Sequence, residues 1–456
     1  MSDKKRTAIL VIHGVGAHTS FQACDSFVQG FCSSFEDSQK SKNKIRVFDL
    51  QHNLKQRQNW LGTGIPWVQN YVSYTIPETD NIIDFYEYFW DIYMVHEASF
   101  NDTFKMLSTA SKSANEYYER YRKNHPGILE RGTDLGEFGR RTKFGFGHPE
   151  FNPAGYLKLL GPLFKWITII SPYVPFLMKT LNKLSETRLP VLQGPLEFLS
   201  GWVKEPVPDF AGDLVRYLDL DPRSERFEIR RKIINGAVEE LRALLKDDSY
   251  DRVIIAGHSL GSVIGYDALN RVIQEVSTKV KTGAKNTGQI TKGEAGKIKG
   301  FISFGSPLDK IALFFRQHVK ESKQIQKQVL EHLRGFRVAP MEEDKPGAKD
   351  KSEIKLKFNI DNPIGADWDK SIRWLNFYHK MDMISGKLDL YNLKDQVLEH
   401  QKAKVAASEM AEYDGNIEIT DDFKLSVAHG CYWGAYLGAN KGTNQMHETI
   451  IEEFFK

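Results

Sequence analysis

The stretch Gly257-His258-Ser259-Leu260-Gly261 constrains this chain more than any other. Before it runs Arg252-Val253-Ile254-Ile255-Ala256, apolar and rich in β-branched residues. After it, Val263, Ile264, Ala268, Leu269, Val272 and Ile273 recur at helical spacing. The pattern predicts a buried strand, a tight turn and a helix. Gly-x-Ser-x-Gly in that setting places its serine at the apex of a sharp, strained turn, with glycine where side chains would collide. Ser259 then stands above the sheet at the positive end of the following helix, which marks it as a candidate nucleophile.

The rest of the chain supplies the sheet. Thr7-Ala8-Ile9-Leu10-Val11-Ile12 reads as a first strand and ends in His13-Gly14-Val15-Gly16. Further strands are expected at Lys44 to Leu50, Ile82 to Tyr93, Gly300 to Phe304 and Ile372 to Tyr378, with a helix over Arg226 to Leu245. Strands alternating with helices predict an α/β fold with an open, mostly parallel sheet covered on both faces.

Residues 96–210 break this rhythm and are expected to form an insertion, leaving 1–95 and 211–456 as the core. Within the insertion, Tyr156 to Met178 is strongly apolar but interrupted by Pro162, Pro172 and Pro175 and charged by Lys158 and Lys165. A membrane span needs about 20 apolar residues in a row, so this is a poor one. Three readings stand for it: a cap or lid over the active site, an element that dips into a membrane surface, or buried core. Two charged stretches, Thr278 to Lys299 and Glu342 to Lys357, read as solvated loops. Contact with anionic lipid headgroups is the alternative for the first.

A serine hydroxyl is a weak nucleophile until a base takes its proton. His429, in Val427-Ala428-His429-Gly430, is the candidate base, with His379, His400 and His447 as rivals. Asp382 follows the strand that ends at Tyr378, at the edge of a parallel sheet where functional groups gather, and is the candidate acid. Asp309, after Gly305-Ser306-Pro307, and Asp389 are its rivals. An oxyanion needs preorganised N–H donors. Leu260 N–H, next to the serine, and Val15 N–H, in the turn after the first strand, are the candidates. The same turn could open a dinucleotide fingerprint, with Asp49 as the ribose-binding acid, but Thr19 stands where its third glycine belongs.

The net charge of +3 gives no electrostatic case for nucleic acid. Cys24, Cys32 and Cys431 have no metal-ligand spacing and, with no apolar leader before the first strand, lead us to expect a reduced, cytoplasmic chain.

Taken in order, His13-Gly14-Val15-Gly16, Gly257-His258-Ser259-Leu260-Gly261, Asp382 and His429 resemble the α/β-hydrolase superfamily in its lipase and esterase branch. The resemblance covers about residues 1–95 and 211–456. It implies an eight-stranded, mostly parallel sheet and a covalent acyl-enzyme. Ser259 would be nucleophile, His429 base and then acid, and Asp382 its orienter. Val15 and Leu260 would form the oxyanion hole, with no metal and no organic cofactor. The expected substrate is a carboxylic ester, of a lipid or another long acyl chain, with peripheral membrane contact through 156–178 as a possible partner interaction. A catalytically silent, membrane-associated binding protein on the same scaffold is the rival reading. Thioester or amide cleavage would use the same three residues.

Overall fold

The computed structural model describes residues 5–15, 19–38, 48–58, 64–76, 79–94, 112, 217, 225–277, 290–308, 311, 372–379, 382, 384–388, 415–420, 428–433 and 444–455. Eight strands form one sheet: β1 (Arg6–Ile12), β2 (Phe48–Gln58), β3 (Gly64–Thr75), β4 (Ile82–Tyr88), β5 (Arg252–His258), β6 (Ile298–Phe304), β7 (Arg373–Tyr378) and β8 (Asn416–Glu418). Their order across the sheet is β2-β3-β4-β1-β5-β6-β7-β8. From β4 to β8 every neighbouring pair is parallel, and β3 runs antiparallel to both β2 and β4. The helices are α1 (Gln22–Ser38), α2 (Glu225–Lys246), α3 (Leu260–Ser277), the short α4 (Lys292–Ala295) and α5 (Asn444–Phe455).

The alternation of side chains along a strand divides the core in two. Ala8, Leu10 and Ile12 of β1, with Val253 and Ile255 of β5, face α2 and α3 and pack with Leu241, Leu244, Val263 and Ile264. Ile9 and Val11, with Ile254 and Ala256, face the other way, onto Phe27 and Phe31 of α1 and Met446 and Ile450 of α5. Both faces of the central strands are thus apolar. That is why β1 and β5 read as unbroken apolar runs rather than alternating ones. Each large side chain so buried contributes about 1.5–3 kcal/mol.

The first strand in sequence is central in space. The ends of β1, β5, β6 and β7 therefore meet at one edge of the sheet, and the segments that leave them, from His13, Ser259, Gly305 and His379, lie side by side there.

Three expectations need correction. The second strand does not end at Leu50: β2 runs over Phe48–Gln58, paired along that length with β3. The strand from Ile82 stops at Tyr88, and a 3-10 turn occupies Asp91–Tyr93. The lysine-rich stretch is not loop throughout. Thr291 and Glu294 form a reciprocal capping box that starts α4, Ala295 is buried, and β6 begins at Ile298. The apolar segment 156–178 and the charged run 342–357 lie outside the described residues. Among the described residues no helix is long and apolar enough to cross a membrane.

Candidate active site

β5 delivers Ser259 in a strained backbone. Its φ is +50°, a left-handed value that an L-residue adopts only where the surroundings force it. The glycines on either side explain how the turn closes. A Cβ on Gly257 would lie 2.5 Å from Ser262 Cα, and one on Gly261 would overlap the carbonyls of Ile12 and His13. The turn is then tied down. Ser262 Oγ donates to the Ser259 carbonyl at 2.6 Å and lies 2.7 Å from Ser306 Oγ, and both hydroxyls are buried. Ser259 N–H donates to the Phe304 carbonyl at 3.0 Å. The 18-residue α3 begins at Leu260, so its N-terminal dipole sits beside the hydroxyl.

His429 lies in a six-residue 3-10 turn, Ala428–Trp433. Its Nε2 is 2.9 Å from Ser259 Oγ, and its Nδ1 is 3.1 and 3.0 Å from the two oxygens of Asp382. A carboxylate only accepts, so Nδ1 carries the proton and Nε2 is the lone-pair nitrogen facing the serine hydroxyl. Asp382 is 4 % exposed and is well supplied with donors. Ile384 N–H donates to it at 2.9 Å and the Tyr432 hydroxyl at 2.8 Å. Burial alone would raise its pKa. The charge and hydrogen bond of His429, with the Ile384 N–H and the Ser385 hydroxyl, outweigh burial and hold the carboxyl well below the usual carboxylate range.

The turn after β1 closes the site on the other side. A Cβ on Gly14 would come within 2.8 Å of Ser259 Cβ, so the backbone passes directly over Ser259. Val15 is the next residue and is half-buried. Two groups beyond β4 and on it brace this turn. Trp90 stacks on the His13 ring at 4.9 Å and donates from Nε1 to the His13 carbonyl at 2.8 Å. Glu87 accepts from the N–H groups of Phe21 and Cys24 at the start of α1. Burial raises the Glu87 pKa against the pull of those donors.

The structure therefore brings together Ser259, His429 and Asp382 by direct hydrogen bonds, with Leu260 and the Gly14–Val15 turn alongside. The described rivals His447 and His379 take no part in that chain of hydrogen bonds. His447 is wholly buried on α5 against Phe27. His379 lies beyond β7, where its carbonyl accepts from Asp382 N–H at 2.9 Å. Asp309, Asp389 and His400 lie outside the described residues. Asp49 stands on β2, at the sheet edge three strands from β1, which removes the dinucleotide reading of Gly14.

Residues that sequence reasoning passed over complete the site. His258, Tyr432 and Ser262 contact the Ser259, His429 and Asp382 groups or their backbone directly, while Ser306, Trp90 and Glu87 brace the segments around them. The spacing of His429 and Tyr432, one 3-10 turn apart, was the available signal for Tyr432. Among the described residues no group of three or more His, Cys, Asp or Glu could hold a metal ion. No protein-family model, curated protein or solved structure matches the chain.

Proposed function

We propose that this protein is a serine hydrolase of the α/β-hydrolase kind that cleaves carboxylic esters through an acyl-enzyme. The observation that carries the reading is the unbroken hydrogen-bond chain from Ser259 Oγ through His429 to buried Asp382, at the edge of a parallel sheet.

The geometry supports each step. Ser259 Oγ attacks the ester carbonyl carbon as its proton passes to His429 Nε2. Asp382, kept ionised by its donors, stabilises the imidazolium that results. The tetrahedral oxyanion is held by Leu260 N–H at the start of α3 and by Val15 N–H, each such donor being worth roughly 10²–10³ in rate. Collapse breaks the carbon–oxygen bond to the leaving alcohol, which takes the proton from His429. Water then repeats the sequence on the acyl-enzyme, with His429 as base, and releases the acid and free Ser259.

A lipid or other long acyl chain is the substrate class we favour, from the apolar composition of 156–178 and the likeness of Gly-His-Ser-Leu-Gly to lipase motifs. Ser259 has no solvent exposure in the structure, which fits a site that opens for its substrate. A series of p-nitrophenyl esters from short to long chains tests this. Turnover that rises with chain length, and that disappears in Ser259→Ala, is expected. Turnover of acetate alone would remove the long-chain assignment, and no turnover of any ester would count against the hydrolase.

A further inference from the structure

His258 leaves β5 into a slot between two glycines. Its ring is 7 % exposed. On the Nδ1 side lies Gly14, where a Cβ would stand 2.9 Å from that nitrogen. On the Nε2 side lies Gly305, with φ of +61°, where a Cβ would stand 3.1 Å from the ring nitrogen. Alanine at either place would push the ring out of position. Through the gap at Gly305, His258 Nε2 reaches the backbone carbonyl of His429 at 3.1 Å. The two imidazole rings lie 5.0 Å apart, and Phe304 and Tyr432 pack at 5.3 and 6.0 Å.

A carbonyl only accepts, so Nε2 of His258 carries a proton. The short turn Ala428–Trp433 is thus held at its backbone by His258 and at its side chains by Asp382, through His429 and Tyr432. His258 is also the chain neighbour of Ser259. Its ring therefore links the backbone that carries the nucleophile to the backbone that carries the base. It fills the space between that base turn and the Gly14 turn as well.

We infer that His258 is a positioning residue, one that sets the separation of His429 from Ser259 by holding the His429 carbonyl. The inference rests on the hydrolase reading above. The physical reason is that proton transfer needs Nε2 and Oγ at hydrogen-bond distance, and a misplacement of about 1 Å can cost roughly 10² in rate. No bond to His258 forms or breaks in the reaction.

Two substitutions test it. His258→Phe keeps a ring in the slot but removes the donor. His258→Gln places an amide N–H close to the position of Nε2. The readouts are the rate of inactivation by a fluorophosphonate and kcat and KM on a soluble short ester. His258→Phe should slow both inactivation and kcat about tenfold, the worth of roughly one hydrogen bond, with KM unchanged. His258→Gln should recover most of that loss. Wild-type rates in a folded His258→Phe, or a loss that His258→Gln does not recover, would overturn the role.

If the phenylalanine variant does not fold, the wild-type protein still decides. Histidine-selective ¹⁵N spectra, with His258 assigned by its absence in His258→Gln, should show a ring protonated on Nε2. A ring protonated on Nδ1 alone would overturn the inference. A folded wild-type chain that takes no probe would overturn the hydrolase reading, and the positioning role with it.

Discussion

The two ends of the central strands each bury an aspartate, and the two aspartates have opposite surroundings. At the start of β1 and β4, Asp84 is fully buried and accepts from Arg6 Nε at 2.6 Å, from Tyr250 at 2.7 Å and from Ser73. Tyr86 lies 2.6 Å from the Tyr250 hydroxyl. Burial and the Asp84 charge raise both phenols well above their ordinary range; Tyr86 adds to the rise at Tyr250, while the hydrogen bond with Tyr250 opposes it at Tyr86, and both remain protonated. Burial would lower Arg6, but Asp84 outweighs it and raises it. Every donor around Asp84 is therefore fixed in its protonation state. At the opposite end, Asp382 is as deeply buried, but its nitrogen partner is a histidine. The His429 side chain is 27 % exposed, and its far nitrogen faces a serine held at positive φ. A saturated network around a permanent cation is a fastener. The same carboxylate facing an imidazole and a strained hydroxyl is the arrangement on which the proposed hydrolase activity rests.

Substitutions at the two ends should separate along this line. Asp382→Asn should lower kcat by roughly 10³–10⁴, because the amide favours the wrong His429 tautomer, while the chemical melting midpoint moves little. A comparable midpoint loss with retained kcat would erase the contrast. Asp84→Asn should do the reverse, costing about 3 kcal/mol by urea titration because it leaves Arg6 unbalanced, with kcat of the folded protein unchanged.

His447 sharpens the comparison from a third position. It is fully buried between α5 and α1, with no hydrogen-bond partner for either ring nitrogen among the described residues. Burial pushes its pKa down to about 3, from 6.5 in the unfolded chain. Between those values the unfolded state binds the extra proton. Its stability contribution is thus complete above pH 6.5 and is lost progressively as the pH falls toward 3. The loss between pH 6.5 and 5 should be about 2 kcal/mol, and His447→Phe should remove that part of the slope. Asp382 titrates with the same sign but only below 3.8, so the two do not overlap there. An unchanged slope in His447→Phe would mean the ring is solvated. The smallest expected effect is in Tyr432→Phe. Loss of one donor to Asp382 should cost about tenfold in kcat with a wild-type melting midpoint, and a larger midpoint loss would make Tyr432 a fastener too.

Much of this was legible in the sequence where local pattern and chemistry agreed. β1 and β5 announce themselves as apolar runs because both faces are covered, and the Gly257–Gly261 turn follows from sterics alone. Asp382 could be chosen because it follows the carboxyl end of a strand, and His429 because small neighbours and its place after the acid let its ring project from a loop. β3 was hidden, since Pro66 and the Gln69-Asn70 pair break up a strand at the outer side of the sheet. β8 has three residues and pairs only with β7. Lysine content masked the capping box at Thr291 and Glu294, although both residues stand at the right spacing. Asp84 carried no local signal of its role, because its partners Arg6 and Tyr250 are far away in sequence. The contact of His258 with His429 depends on how two distant turns meet, which no local pattern encodes.

The central claim is that Ser259 is a nucleophile activated by His429. Peptide mapping by mass spectrometry after fluorophosphonate treatment tests it most directly. The account predicts a single covalent adduct on Ser259, absent in Ser259→Ala and formed roughly 10³-fold more slowly or worse in His429→Ala. A folded wild-type protein that stays unmodified, or an adduct on another residue, would contradict it.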